Sequence, residues 1–151
     1  MVDKKLGRVI KGVLMQMIRN AVVHGIEMPE DRIAKGKNET GTIRLSIKRD
    51  DNTIHVRLRD DGNGLDFNKI RERAVQMNLI QAEDEDNRDA LINVLFEPGF
   101  STAETEGGHA GRGIGLNLVK DRVTGMNGSI KLQTEANKGT VFNIYFPLES
   151  S

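Results

Sequence analysis

The chain has 151 residues, 37% of them hydrophobic, and its 22 Lys and Arg residues balance 22 Asp and Glu residues. A chain of this length supports one hydrophobic core, and its lack of Cys excludes disulfides and thiolate metal sites and favours a reducing compartment. The balanced charge gives no indication of a nucleic-acid or anionic-membrane partner, and no apolar run or signal-peptide pattern predicts membrane insertion or export.

The first part of the chain predicts a helix, a helical turn and a β-hairpin. Apolar residues at helical spacing predict a helix over about residues 3–26, with Gly25 as its C-cap. Pro29, followed by two acidic residues, predicts a short helical turn. Residues 41–49 and 53–59 alternate apolar and polar side chains around an Asp-Asp-Asn turn, which predicts the hairpin.

The second part predicts three more helices and another hairpin. We expect helices near residues 66–78, 86–95 and 113–126, a long loop over 96–112, and strands at 129–135 and 140–147. Asp66 is the predicted N-cap of the first of these helices. Helices combined with two hairpins, without an internal repeat, predict a two-layer α/β sandwich. Its mixed, mostly antiparallel sheet carries the helices on one face.

A polar segment, DDGNGLD, follows the second predicted strand at residues 60–66. Asp60, Gly62 and Gly64 form an Asp-x-Gly-x-Gly pattern. A carboxylate at a strand end can accept a hydrogen bond from an exocyclic amine, and two glycines allow the backbone to approach a flat ring. Asp and Gly are also ordinary turn residues, so a simple polar turn is an equally good interpretation of this segment alone.

A glycine-rich segment, GHAGRGIGLNLVK, precedes the fourth predicted long helix at residues 108–120. Backbone N–H groups at such a helix start form an anion site, and the helix dipole favours phosphate there. No Gly-Lys-Ser/Thr follows, so this is not a P-loop, and its spacing differs from the dinucleotide-binding fingerprint. A glycine-rich hinge without a ligand is the alternative.

A polar stripe crosses the otherwise apolar first helix. Gln16, Asn20 and His24 follow one another at intervals of four and therefore share a face. Asn20 offers a neutral oxygen that suits Mg²⁺, and Asn is a poor residue in mid-helix without such a reason. His24 has a simple structural explanation, since a His beside the last turn can serve the helix C-terminus.

The order of these motifs resembles the GHKL superfamily of ATPases and kinases, which has the Bergerat fold. The resemblance implies that Asn20 holds Mg²⁺, that Asp60 binds the adenine amine of ATP, and that the glycine-rich loop wraps the phosphates. It implies a catalytic group of Gln16, Asn20 and His24. The other ATP-binding residues that it implies are Gly62, Gly64, Gly111, Arg112, Gly113, Ile114, Gly115, Leu116 and Thr140.

Four segments narrow the resemblance to the chemotaxis histidine kinase (CheA) family. These segments are RNAVVHGIEMPEDRIAKGK, LFEPGFST, GRGIGLNLVK and the closing hairpin, and together the likeness runs from about residue 4 to 148. It implies a cytoplasmic protein-histidine kinase of two-component signalling that uses ATP and Mg²⁺. Lys69 and Arg73, four residues apart on a predicted helix, would point at phosphate, although a solvated charged face is nearly as good an explanation.

The same resemblance implies partners outside this chain. The histidines His24, His55 and His109 do not suit a phospho-acceptor, so we expect that acceptor on a histidine-phosphotransfer domain of the same or another polypeptide. Response regulators, a coupling protein and chemoreceptors would act through the full-length kinase. We therefore expect residues 1–151 to be one ATP-binding catalytic domain, either a fragment of a longer multidomain kinase or a naturally split component.

Gln16 departs from the family pattern. The chemotaxis kinases typically have His at this position and most other members have Glu, which orients and helps to deprotonate the attacking group. A Gln amide can hold a nucleophile by hydrogen bonding but cannot take its proton. Val23 also replaces an Asp that is frequent in the family, which removes a polar neighbour of His24.

Several interpretations follow from Gln16. The chain is a working kinase in which Gln16 positions the acceptor imidazole, a slow kinase that depends on partners, or a nucleotide-binding pseudokinase that serves as a scaffold or regulator. We favour the first two, because phosphoryl transfer relies chiefly on positioning and charge. A GHKL ATPase is a weaker alternative, since loss of Glu would harm water activation most.

Overall fold

A computed structural model describes residues 4–84, 86–98, 100 and 116–148 of the chain. The helices are α1 (Lys4–Asn20), which continues into a π-helical turn (Ala21–Gly25), α2 (Pro29–Ala34), α3 (Phe67–Gln76), a 3₁₀ turn (Ala82–Asp84), α4 (Arg88–Val94) and α5 (Leu116–Gly125). The strands are β1 (Ile43–Arg49), β2 (Thr53–Asp60), β3 (Ser129–Glu135) and β4 (Gly139–Pro147). No helix in these ranges is long and apolar enough to cross a membrane.

The four strands form one sheet in the order β1-β2-β4-β3. Every strand pair in the described chain is antiparallel, and Leu58 of β2 lies opposite Leu45 of β1 and Phe142 of β4. The predicted two-layer α/β class is confirmed. The sheet was predicted to be mixed, but its described strands contain no parallel pair, because each hairpin joins neighbours and β2 and β4 meet in the middle.

The helices cover one face of this sheet. The main core consists of buried residues of α1, β2, α5 and β4, namely Leu6, Val13, Met17, Ile54, Val56, Leu58, Val119, Val123, Ile144 and Phe146. A second core joins α3 and α4 to β3 through Ile70, Ala74, Leu91, Val94, Leu95, Phe100 and Leu132. The two cores leave a space between the end of α1 and α3, above the end of β2.

The first predicted helix ends at Gly25, but its last turn is not α-helical. After Asn20 the backbone widens into a π-helical turn, and the N–H of Ile26 donates to the carbonyl of Ala21 at 2.8 Å. Gly25 does not adopt the left-handed conformation of a glycine C-cap. π-helical turns occur frequently at functional sites, and this one follows the predicted Mg²⁺ ligand directly.

The other predicted helix starts are close to the observed ones. The side chain of Asp66 accepts from the N–H groups of Asn68 and Lys69 at 3.0 and 3.3 Å, which confirms it as the N-cap of α3. Helix α4 begins later than predicted, with Asn87 as its N-cap. Most of the predicted loop over 96–112 and the first residues of the last predicted helix lie outside the described residues.

A buried ion network attaches α2 to the segment that follows β2. The guanidinium of Arg32 is 1% exposed and donates to Glu27 Oε1 at 2.9 Å and to Asp61 Oδ2 at 3.1 Å. The ammonium of Lys37 donates to Glu27 Oε2 at 2.6 Å and to the carbonyl of Gly62 at 2.9 Å. These contacts hold the polar segment after β2 against α2 and the residues that flank α2.

The pKa of Glu27 is lowered by this network. Burial of the carboxyl group by itself raises the pKa, but hydrogen bonds from Lys37, the backbone and Lys35, together with the charge of Lys37, outweigh it and hold the pKa at about 2. A carboxyl group whose pKa falls on folding stabilises the folded state above its unfolded pKa of 4.5. This stabilisation is lost as the pH falls from there toward 2.

We therefore predict that Glu27→Gln flattens the acid limb of the stability curve. Between pH 6 and pH 3 the native chain should lose on the order of 2 kcal/mol of unfolding free energy through Glu27 alone. Urea unfolding at both pH values measures this difference, and the variant should lose correspondingly less than the native chain. Glu30→Gln, at an exposed carboxylate, is the control. An equal loss in native chain and Glu27→Gln would contradict the assignment.

Candidate nucleotide-binding site

A cavity of about 1260 Å³ lies between the end of α1, the segment after β2, and α3. Ligand pockets are commonly concave spaces of several hundred Å³ with a few convergent polar groups, and this one is of sufficient size for a nucleotide. Its polar lining includes Asn20, His24, Asp60, Lys69 and Thr140. With Gly64 and Leu116, the structure thus brings together seven of the site residues that the sequence indicated.

Asp60, the last residue of β2, is the buried carboxylate of this cavity. It is 8% exposed, lies opposite Thr140 in the sheet, and accepts from the N–H of Gly62 at 2.9 Å through Oδ1. Burial raises the pKa of Asp60, while hydrogen bonds from the backbones of Gly62 and Thr140 lower it in part. A buried carboxylate needs donors, and a ligand amine at the cavity wall would supply one.

The glycines of the Asp-x-Gly-x-Gly pattern are explained by backbone packing. A Cβ at position 62 would collide with the carbonyl of Gly25, and the N–H of Asn63 donates to that same carbonyl at 2.7 Å. Gly64 has a φ of +70°, and a Cβ there would collide with the carbonyl of Glu135. Gly64 lines the cavity, whereas Gly62 does not. Both glycines were predicted to allow the approach of a flat ring, but the contacts that they make in the structure are between backbone segments.

Only part of the polar stripe on the first helix reaches the cavity. Asn20 and His24 line the cavity, although they differ in exposure: the Asn20 Oδ1 atom is buried and His24 is exposed. Gln16 is half-buried one turn earlier and is not among the lining residues. The catalytic roles of these three residues stay predictions.

The cations that line the cavity differ from those that the sequence predicted. Lys69 lines it from the first turn of α3, but Arg73, one turn later, does not. Arg71 and Arg88 line it as well. Of these two predicted phosphate-facing residues, Lys69 therefore lines the cavity and Arg73 does not, and the Nε atom of Arg73 is buried. The phosphate contact itself stays a prediction.

Arg71 and Arg88 are held in place by neighbours. Arg71 lies 3.4 Å from a carboxylate oxygen of Asp86, and the guanidinium of Arg88 lies 4.6 Å from the centre of the Phe67 ring. Sequence spacing could not indicate Arg88, because only the packing of α4 against α3 brings it to the cavity. Arg71 is only two residues from Lys69 in the sequence, but the prediction considered only the pair Lys69 and Arg73, which are four residues apart.

Of the remaining predicted ATP-binding residues, some lie in the described part of the chain and others lie outside it. Thr140 is 8% exposed, with its hydroxyl 3.1 Å from that of Thr134, and Leu116 borders the cavity at the start of α5. Gly111, Arg112, Gly113, Ile114 and Gly115 lie outside the described residues. The phosphate-binding role of that loop stays a prediction.

Comparison with known proteins gives matches over most of the chain. The family described as histidine kinase-, DNA gyrase B-, and HSP90-like ATPase matches residues 10–150. Chemotaxis protein CheA of Rhizobium meliloti is 38% identical over 147 residues, which are 97% of this chain and 19% of that protein. CheA of Borreliella burgdorferi is 39% identical over 135 residues, covering 89% of this chain and 16% of that protein.

The structural comparison agrees with this assignment at the level of the fold. The histidine kinase domain from the Erythrobacter litoralis EL346 blue-light activated histidine kinase aligns with a TM-score of 0.52 and 18% identity, over 93% of this chain and 43% of that one. The chain spans less than a fifth of the length of the two CheA proteins. It belongs to the family of histidine kinase-, DNA gyrase B- and HSP90-like ATPases, and within that family its sequence is CheA-like.

Proposed function

We propose that this chain is the catalytic domain of a cytoplasmic CheA-like kinase that transfers the γ-phosphate of Mg-ATP to a histidine on a separate domain. The observation that carries the proposal is the buried Asp60 carboxylate at the wall of a nucleotide-sized cavity. The match of residues 10–150 to an ATPase family supports ATP as the nucleotide.

Asp60 is the proposed receptor for the adenine base. Its carboxylate can accept a hydrogen bond from the exocyclic amine, a donor that guanine does not present at that position. A buried carboxylate oxygen that has no hydrogen-bond donor carries an uncompensated desolvation penalty. An amine that donates to this oxygen removes the penalty, and this strengthens binding of the base. Asp60 thereby provides both affinity and base selectivity.

The cationic side chains of the cavity lining suit a triphosphate. Lys69, Arg71 and Arg88 are among the cationic side chains that line the cavity, and Arg can contact phosphate through two N–H groups. No group of three His, Cys, Asp or Glu side chains in the described chain could hold a metal alone. The neutral oxygen of Asn20 suits Mg²⁺ that shares phosphate oxygens, and such an ion would neutralise charge on the phosphates.

The proposed partners follow from the CheA-like sequence. Since the chain spans only 16–21% of the CheA proteins from Borreliella burgdorferi, Rhizobium meliloti and Bacillus subtilis, we treat residues 1–151 as one domain of a larger system. A histidine-phosphotransfer domain supplies the acceptor. Response regulators, a coupling protein and chemoreceptors are further proposed partners through the complete kinase.

Asp60→Asn should remove most of the ATP affinity while the fold stays intact. Loss of a hydrogen bond to a charged group costs about 1.5–3 kcal/mol, which corresponds to a roughly 10- to 150-fold weaker complex. Calorimetric titration with ATP measures the change, and circular dichroism checks the fold. Asp66→Asn is a matched control, because it removes another carboxylate from the cavity lining but keeps a competent N-cap. Unchanged affinity in Asp60→Asn would refute the adenine assignment.

Lys69→Gln should weaken ATP binding and leave adenosine binding nearly unchanged. The lost interaction is with phosphate, so titrations with the two ligands separate it from any effect on the base. Arg73→Gln removes the same charge from the same helix at a position that does not line the cavity, and it should affect neither ligand. If Arg73→Gln weakened ATP selectively and Lys69→Gln did not, the geometry would have assigned the wrong residue.

Phosphoryl transfer tests the role of Gln16. We expect the native chain to transfer labelled phosphate from Mg-ATP to a purified histidine-phosphotransfer domain in a single turnover. The Gln16→His variant should react within roughly tenfold of the native rate, well below the ~10²–10⁴-fold that general-base assistance can provide. ATP affinity of both proteins, measured separately, controls for binding.

The opposite result favours the alternative function. A native rate near zero, rescued by Gln16→His at equal ATP affinity, would mean that the domain binds nucleotide but lacks the base. The chain would then be a nucleotide-binding regulator, as the third interpretation of Gln16 holds.

A further inference from the structure

The sheet has a second face, which points away from the helices and from the cavity. Side chains alternate along each strand, so the residues between the buried positions Ile54, Val56, Leu58 and Asp60 of β2 lie on the outer face. The strand pairing extends this outer face over all four strands. Its composition differs sharply from that of the whole chain.

Five cationic side chains lie on this outer face and all are exposed: Arg44, Lys48, Arg57, Arg59 and Lys131. Among the described residues, none of the five is within 4.0 Å of a carboxylate oxygen. The only acidic side chain at an outward strand position is Glu135, and its carboxylate is 3.7 Å from Lys138. A chain of zero net charge therefore carries a strongly positive sheet face.

Folding does not explain this arrangement. Arg44 and Arg59 lie directly opposite each other on neighbouring strands, and like charges in that position destabilise a sheet. Asp61, which follows β2 at that end, is already bound by Arg32 at 3.1 Å. No carboxylate of the described chain lies within ion-pair distance of Arg44 or Arg59 to offset this cost, which points to an external anionic partner.

The rest of the face is mostly polar, and Val141 and Pro147 of β4 are the apolar side chains at its outward strand positions. The rings of His55 and Tyr145 stack on each other with centroids 4.5 Å apart, and a ring nitrogen of His55 lies 2.8 Å from Asn143 Oδ1. None of the large exposed apolar side chains of the described chain occupies an outward strand position. An apolar partner is therefore a poor match for this surface.

We propose that the outer sheet face docks a carboxylate-rich surface of a partner protein. Four strands about 4.8 Å apart, with outward residues about 7 Å apart along each strand, span roughly 400 Å². This is smaller than the ~800 Å² per partner of a stable interface. The contact is consequently transient and sensitive to salt, as electrostatic docking is.

Carboxylates are favoured over the two phosphate-bearing alternatives. Nucleic acid is a polyanion that acts over long range, and proteins that bind it without sequence specificity carry excess positive charge, whereas this chain has a pI near 6.8. An anionic membrane would favour apolar anchors beside the cations, and this face has none of the large exposed ones. A protein surface requires only local charge complementarity.

The test uses an oligoglutamate peptide as the probe and the nitrogen-15-labelled full chain. We expect chemical-shift changes confined to β1, β2, β3 and β4, with binding lost at high salt. Arg57→Gln combined with Arg59→Gln should weaken binding roughly tenfold. Arg8→Gln combined with Lys11→Gln removes two exposed charges from α1 and should leave it unchanged. Equal weakening in both double variants, or no localised shifts, would overturn the proposal.

Two parallel titrations decide the class of partner. An oligothymidylate of equal charge or a phosphatidylserine vesicle that binds this face more tightly than the peptide would overturn the assignment in favour of nucleic acid or membrane. The inference does not depend on the proposed kinase activity, because the outer face and the cavity are on opposite sides of the sheet. ATP affinity should be the same in both double variants.

Discussion

The buried guanidinium of Arg32 is the contact on which the geometry of the site depends. It bonds at once to Glu27, to Asp61 and to the carbonyl of Asn38, and so joins the end of α1, α2 and the end of β2. Removing one partner from such a buried pair commonly costs about 3–5 kcal/mol, since an uncompensated charge remains. Asp60 adjoins Asp61, so its carboxylate is positioned by a network that it does not itself contact.

The close approach of Gly62 to Gly25 also holds the segment after β2, through a backbone contact with the π-helical turn. The π-helical turn carries the carbonyl of Gly25 to the N–H of Asn63, and only glycine at position 62 leaves room for that contact. The same turn sets Asn20 and His24 at the cavity wall. One backbone contact therefore relates the proposed metal ligand on α1 to the proposed base receptor on β2.

The parts of this fold that sequence patterns predict are those decided by neighbouring residues. Asp66 caps α3 through N–H groups two and three residues away, and the turn at Asp50 joins two strands whose alternation is visible in the sequence. The cavity lining is different, because Arg88 reaches it through the packing of α4 on α3. The reason for Gly62 also lies in a segment 37 residues away in the chain, so its local pattern suggested a ligand contact instead.

The two faces of the sheet differ in charge, although the net charge of the whole chain is zero. On the inner side, cations such as Lys69 and Arg71 border the cavity together with the carboxylates of Asp60 and Asp66, which suits a ligand with a polar base and an anionic tail. On the outer side, cations such as Arg57 have no carboxylate of the described chain within ion-pair distance. Successive side chains of a strand point to opposite faces of the sheet. A substitution at one residue of β2 therefore changes one face, and a substitution at the next residue changes the other face. Nucleotide binding and docking can therefore be altered separately within a single strand.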